Sequence, residues 1–236
     1  IYVKILSPLT NGAYRLFNYS GVISNAFDTS VLGNTTRGTW TLDTNTAGQV
    51  NLVVTNPPTA SLIWKATSND VWNVLVSTNW LNTTNSAPDV FNHNDTVIFD
   101  DSAATSAVKI AERVVPTKVS VYSTSNYTFS SSGWISGNTG IDKGGTGMLT
   151  LSTTNDFTGT VAVNTGAVRV TLGAGSGLGT VAVTNGGTFE LVNTITVSNS
   201  LVLNGTGVTN SGALRNVSGN NTANGPVMMN GSTVIA

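Results

Sequence analysis

Three tryptophans and a run of carboxylates are the residues best placed to do chemistry. Trp64, Trp72 and Trp80 fall eight positions apart. Evenly spaced indoles can form a platform on which sugar rings stack, which would make host or matrix glycans the partner. The same three side chains can instead plug the start of a coil or fill the junction of two modules, provided each N–H finds an acceptor. Just downstream, Asp89, Asn92, Asn94, Asp95, Asp100 and Asp101 supply hard oxygen ligands of the kind Ca²⁺ takes. Their spacing lacks the Asp-x-Asp-x-Asp-Gly order of a dedicated calcium loop. The plainer reading is that they are turn residues bounding the strand Thr96-Val97-Ile98-Phe99. Asp95, Asp100 and Asp101 beside the tryptophans are also the carboxylates a glycan-cleaving groove would need.

Other catalytic apparatus is sparse. His93 is the single histidine and there is no cysteine. A Ser-His-Asp arrangement could therefore run only through His93, a Cys–His pair is ruled out, and no Gly-x-Ser-x-Gly elbow occurs. With polar neighbours on both sides, His93 reads as a solvated loop residue. Gly144-Gly145-Thr146-Gly147 looks like a phosphate loop only superficially. It lacks the Lys-Ser/Thr ending and a following helix, so a tight corner of the chain is expected there. The expectation is a protein with no enzymatic activity and no cofactor.

The elements that must hold these residues are strands. Val161-Ala162-Val163-Asn164-Thr165-Gly166 returns twenty positions later as Val181-Ala182-Val183-Thr184-Asn185-Gly186. Ala167-Val168-Arg169-Val170 then matches Thr188-Phe189-Glu190-Leu191 after a one-residue insertion. A direct repeat of this length points to a stacked array. Alternation puts Val161, Val163, Val168 and Val170 on one face and turns Arg169 and Glu190 to the other. If units stack in parallel, those opposite charges meet across about 4.8 Å. Twenty extended residues span about 65 Å, enough for one full coil. The expected fold is all-β, a β-solenoid with rungs of about 20 residues; a pair of ordinary hairpins is the alternative, since Asn185-Gly186 suits a hairpin turn.

Composition supports this. Of 236 residues only 9% are charged and the net charge is −1, so there is no electrostatic case for nucleic acid or an anionic membrane. Solubility falls to Asn, Thr, Ser and Gly, which suit strands and turns. The lack of cysteine excludes a disulfide scaffold. No apolar run has the length of a membrane helix, and the first residue, Ile1, suggests a processed product or a segment of something longer. Residues 1–56 read as strands resembling the closing part of a solenoid, including Ile1–Leu6, Val31-Leu32, and a hairpin or two rungs around 45–48. Asn56-Pro57-Pro58-Thr59 marks a break. Residues 57–115 form a Trp-rich junction that starts the next module, and 116–236 carry the repeats.

Lys143-Gly144-Gly145-Thr146-Gly147-Met148-Leu149-Thr150-Leu151, followed by Asn155-Asp156-Phe157-Thr158-Gly159 and Val163-Asn164-Thr165-Gly166, resembles the autotransporter-associated β-strand repeat. That pattern runs Lys-x-Gly-x-Gly-x-Leu-x-Leu, then Asn-x-Tyr-x-Gly-x-x-x-Val-x-x-Gly, with Phe157 standing for the usual Tyr. The resemblance covers about 143 to 217. It implies a right-handed parallel β-helix exported to a bacterial surface, adhesive or structural in role, with no catalytic residues to carry over. Autotransporters end in a membrane β-barrel, and nothing here reads as one. The resulting expectation is a secreted structural protein, a segment of a bacterial surface fibre or adhesin. Neither end shows a charged cap, so copies are expected to stack head to tail into a filament.

Overall fold

The computed structural model describes residues 9–24, 27, 37, 39–55 and 59–236. The strands expected at Ile1–Leu6 and Val31-Leu32 lie outside the described residues, as do Asn56, Pro57 and Pro58. Two compact units divide the chain, Ile1–Thr59 and Ala60–Ala236.

In the first unit, β1 (Gly12–Asn18), β2 (Thr39–Asp43) and β3 (Gln49–Thr55) form a three-stranded sheet with β3 in the middle. Both pairings are antiparallel. This differs from the closing coils expected for residues 1–56. Period-two alternation is the same for both strand directions, so the apolar pattern alone does not choose between them. The short polar turn 44–48 does choose, by folding β2 straight back on β3.

The second unit is the β-solenoid: about six turns, with rungs of roughly 22 residues. One wall is a ten-stranded sheet made of β4 (Ser61–Trp64), β6 (Trp80–Asn82), β7 (Ala87–Asp89), β8 (Thr96–Phe99), β11 (Lys118–Tyr122), β14 (Ile141–Gly144), β16 (Val161–Val163), β18 (Val181–Val183), β21 (Leu201–Asn204) and β24 (Val227–Asn230). The other is a seven-stranded sheet of β5 (Val71–Trp72), β9 (Ala107–Ile110), β12 (Tyr127–Ser130), β15 (Met148–Leu151), β17 (Gly166–Val170), β19 (Gly187–Leu191) and β22 (Leu214–Asn216). Two short parallel pairs, β10 (Arg113–Val114) with β13 (Trp134–Ile135) and β20 (Thr196–Val197) with β23 (Thr222–Ala223), add further pairing. No pairing break falls at 115/116: Thr96 of β8 pairs with Lys118 of β11.

Register makes the core a set of columns. Leu62, Val97, Val119, Ile141, Val161, Val181, Leu201 and Val227 stand on successive rungs in direct register. On the facing wall, Tyr127, Leu149, Val168, Phe189 and Leu214 do the same. Most are fully buried, and each such side chain contributes about 1.5–3 kcal/mol by leaving water. The repeat is in register as its sequence demands, Val161 on Val181 and Arg169 on Glu190. Rung length varies with the corners: Val119 meets Ile141 but Leu201 meets Val227.

Two devices fix the corners. At Gly145 the backbone is left-handed (φ 71°), and a β-carbon there would lie 2.4 Å from the Ser123 carbonyl oxygen of the rung before. Buried Asn155 ties three rungs together. Its Oδ1 accepts from Ile135 N–H (2.9 Å) and its Nδ2 donates to the Gly175 carbonyl (2.7 Å). The corner expected at 144–147 is therefore present, with backbone stacked on backbone and no room for a phosphate. Among the described residues, no helix is long and apolar enough to cross a membrane.

Candidate functional site

The tryptophans do not form a platform. Trp64 and Trp72 are 0% exposed and Trp80 1%. β4, β5 and β6 turn them into the first rung, where they meet one another and Phe91, Phe99 and Phe129. Trp64–Trp80 centroids lie 4.9 Å apart and Trp72–Phe91 5.2 Å, both edge to face. Phe99 sits at 5.6 Å from both Trp72 and Trp80 and at 4.8 Å from Phe129. A sugar would need a free ring face, and these faces are covered by other rings. The plug reading is the one the geometry takes. Trp64 Nε1 donates to the Thr105 carbonyl (3.0 Å), while Trp72 and Trp80 Nε1 find no acceptor among the described residues. Each unmet donor costs about 1–3 kcal/mol, offset here by the large area the rings bury.

The acidic residues are dispersed among separate turns. Asp89 accepts from Asn82 Nδ2 (2.9 Å) and Val90 N–H (2.8 Å). Asp95, fully buried, accepts from Ala60 N–H (2.8 Å) and Asn92 N–H (2.7 Å). Asp100 accepts from Ser102 N–H at 2.9 Å. Asp101 gathers the next rung's corner, taking bonds from the Ser123 hydroxyl, Thr124 N–H (3.0 Å) and Ser125 N–H (3.0 Å). Those donors, the Ser123 hydroxyl first, hold its carboxyl well below the usual range. Among the described residues, no three Asp, Glu, His or Cys side chains converge on a common point. Asp100 and Asp101 line an open depression of about 350 Å³ with Thr105, Ser106, Ser125 and Tyr127. No tryptophan lines it, so carboxylates and indoles share no cleft there.

His93 is buried, which corrects the solvated-loop expectation. The turn holding it is pressed against the following rung: Asn94 N–H donates to the Val115 carbonyl (2.7 Å), and Val115 N–H donates to His93 Nδ1 (3.2 Å). Accepting at Nδ1 requires the neutral ring. Polar neighbours in sequence carry no information about a partner 22 positions on.

Two polar clusters were missed or half seen. Lys143 occupies an inward column between Val121 and Val163 and is 1% exposed. Its ammonium donates to the carbonyls of Gly144 (2.7 Å), Gly145 (2.9 Å) and Thr165 (3.2 Å). Burial brings its pKa down to about 8. On the outer face, the expected Arg169–Glu190 pair forms at 2.7 Å, and Arg215 of the next rung joins Glu190 at 3.3 Å.

The two ends of the coil contrast sharply. At the N-terminal edge of the ten-stranded sheet, β6 folds antiparallel onto β4, and β7 onto β6. The outermost strand, β7, contains Pro88, which has no N–H to offer. That edge is therefore capped, against the expectation of two bare ends. At the other edge, β24 pairs with β21 and with no other described strand. Val227 and Met229 lie in the inward columns, yet are 41% and 59% exposed. Ile235 follows the inward column of Leu214 and is 52% exposed, and Met228 on the outer face is 59% exposed. Leu201 N–H donates to the Pro226 carbonyl at 2.8 Å. Successive residues of a strand turn their polar groups to opposite edges, so Val227 and Met229 direct N–H and C=O away from β21. No protein-family model, curated protein or solved structure matches the chain, so the resemblance to the autotransporter-associated repeat stands on its motif residues alone.

Proposed function

We propose that this protein is a non-enzymatic structural element of a bacterial surface, a solenoid segment of a fibre or large adhesin that joins other copies end to end. The observation that carries this reading is the coil itself: successive rungs stack in register, Val161 on Val181 and Arg169 on Glu190, around a core that takes the indoles inward. The rest of the coil favours support over catalysis. The aromatic rings are packed inward and the carboxylates are engaged in holding turns. Export to the cell surface is supported by the repeat motif, the lack of cysteine and the low charge.

Sedimentation velocity across a wide concentration range, with electron microscopy of the same samples, tests the reading. Reversible association that rises with concentration is expected. A species that stays monomeric throughout would end it.

A further inference from the structure

The outer face of the ten-stranded sheet carries one ring that the core did not take. We infer that Tyr122 is the stacking platform of a glycan-binding subsite, with Asn164 and Lys118 receiving hydroxyls of the same neutral sugar. This rests on the surface-adhesin reading above and names its partner class.

Three observations lead here. The first is exposure. Tyr122 is 47% exposed, whereas every other aromatic side chain among the described residues is buried or half-buried. It stands in mid-coil on β11, with β8 paired on one side and β14 on the other, so both neighbouring rungs are in place around it. The second is its seat. Tyr122 is in register with Gly144 of the next rung, and a β-carbon on Gly144 would lie 2.3 Å from both Cδ1 and Cε1 of the ring. Gly144 is not among the left-handed glycines, so its missing side chain serves the ring laid across it rather than a turn. The third is its anchor. Tyr122 Oη donates to Asp142 Oδ2 at 2.5 Å. Seated along one edge and bonded at its tip, the ring is ordered before any ligand arrives, which limits the freedom lost on binding. A tie between rungs needs no ring in water: Asn155 makes one from inside the coil.

The polar groups beside the ring fit an uncharged sugar. Asp142 also accepts from Asn164 Nδ2 (2.7 Å) and pairs with Lys118 Nζ (3.3 Å). The ammonium meets the carboxylate charge, so the patch does not select an ionic ligand. Asn164 follows Val163, which pairs with Lys143, and so stands one rung beyond the ring's seat, about 4.8 Å on. It is bound through Nδ2, which leaves Oδ1 to accept from a ligand. Lys118 is half in solvent, and an ammonium has donors beyond the one turned to Asp142. A pyranose offers the complement: a C–H face for the π-system, hydroxyls that donate to an amide oxygen, and hydroxyl oxygens that accept from an ammonium. One such subsite binds weakly, and copies joined in a fibre raise the strength through avidity.

Saturation-transfer NMR on the full chain tests this, with cellohexaose, maltohexaose, laminarihexaose and chitohexaose as probes. Binding of at least one is expected. Tyr122→Ala should weaken it about tenfold or more, the effect of losing one stacked ring. Gly144→Ala keeps the tyrosine but fills its seat, and should weaken binding by about threefold or more because the ring is no longer held in place. Circular dichroism should show both variants folded. Sugar binding that falls in both folded variants supports the inference. Binding that survives Tyr122→Ala, or no binding of any of the four probes, overturns it. Self-association that falls in Tyr122→Ala without sugar binding would make the ring a contact between copies, and overturns it too. Sedimentation of the unaltered chain decides the end-to-end reading separately in every case.

Discussion

The first rung and the last rungs of the solenoid solve the same problem by different means. The first is filled with rings: Trp64, Trp72, Trp80, Phe91 and Phe99 in mutual contact, and its sheet edge is covered by a hairpin. The later rungs are filled by aliphatic columns such as Val161, Val181 and Leu201, each resting on the one before. A middle rung has a neighbour above and below. An end rung has one neighbour, so large side chains and an added hairpin replace the missing layer. In the last rung described, the inward-column residues Val227, Met229 and Ile235 are exposed. The lesson is that the repeat itself supplies the walls, while the irregular stretch 65–95 supplies the closure.

The largest effect expected from breaking this contrast is at the aromatic plug. Trp72→Ala should destabilise the fold by about 3–5 kcal/mol, the usual range for emptying a large core site. Met229→Ala, in the same kind of inward column but 59% exposed, should change it by less than about 0.5 kcal/mol. Urea unfolding of the two variants compares them directly. Equal losses would mean that the ends are not energetically different.

Lys143 gives the next test, because it breaks the aliphatic column from within. Its ordinary pKa is 10.5, and burial takes it down to about 8. Below pH 8 both folded and unfolded chains hold the proton, and the cost of the buried charge is fully present. Between pH 8 and 10.5 the unfolded chain still holds a proton that the folded chain has released, so stability rises with pH, by up to roughly 3 kcal/mol. The three carbonyl partners favour the ammonium form and draw the gain below that ceiling. Tyr122 acts the other way. Its bond to Asp142 pushes it up to about 12 from 10.0, so the stability it lends is complete below pH 10 and is lost as pH climbs to 12. Unfolding midpoints should therefore climb from pH 8 to about 10 and fall beyond it. Lys143→Met should flatten the climb and leave the fall.

How far the sequence reaches follows the same division. The columns were legible, because alternation and a direct repeat both survive as plain sequence patterns. The Arg169–Glu190 contact was legible for that reason. The plug was legible only as one of two alternatives, since spacing says where Trp64, Trp72 and Trp80 recur but not which way three irregular loops turn them. The burial of Lys143 was hidden because a charge at an inward position becomes tolerable only when a glycine corner brings three carbonyls to its ammonium. The hairpin edge of β6 and β7 was not legible, because the two strands are three residues each and their pairing is set by packing rather than by propensity.

The smallest effect sharpens how neighbouring rungs are held outside the core. Asp101 binds the rung after it through neutral donors, the Ser123 hydroxyl and the amides of Thr124 and Ser125. Glu190 binds its neighbours through charge, with Arg169 before it and Arg215 after it. Glu190 is shielded but both arginines are partly exposed, so screening takes back much of the Coulomb gain. Glu190→Gln should cost about 1 kcal/mol at low salt, since it leaves two guanidinium groups on adjacent rungs facing an uncharged amide. The loss should shrink by about half in 1 M NaCl, where the Debye length is about 3 Å. Asp101→Asn keeps one acceptor oxygen for the amides, and its cost should be nearly independent of salt, because the Ser123 hydroxyl and the Thr124 and Ser125 amides that bind it are uncharged. Urea unfolding at the two ionic strengths separates the cases: a salt-independent cost at Glu190 would show that its arginines act by packing alone.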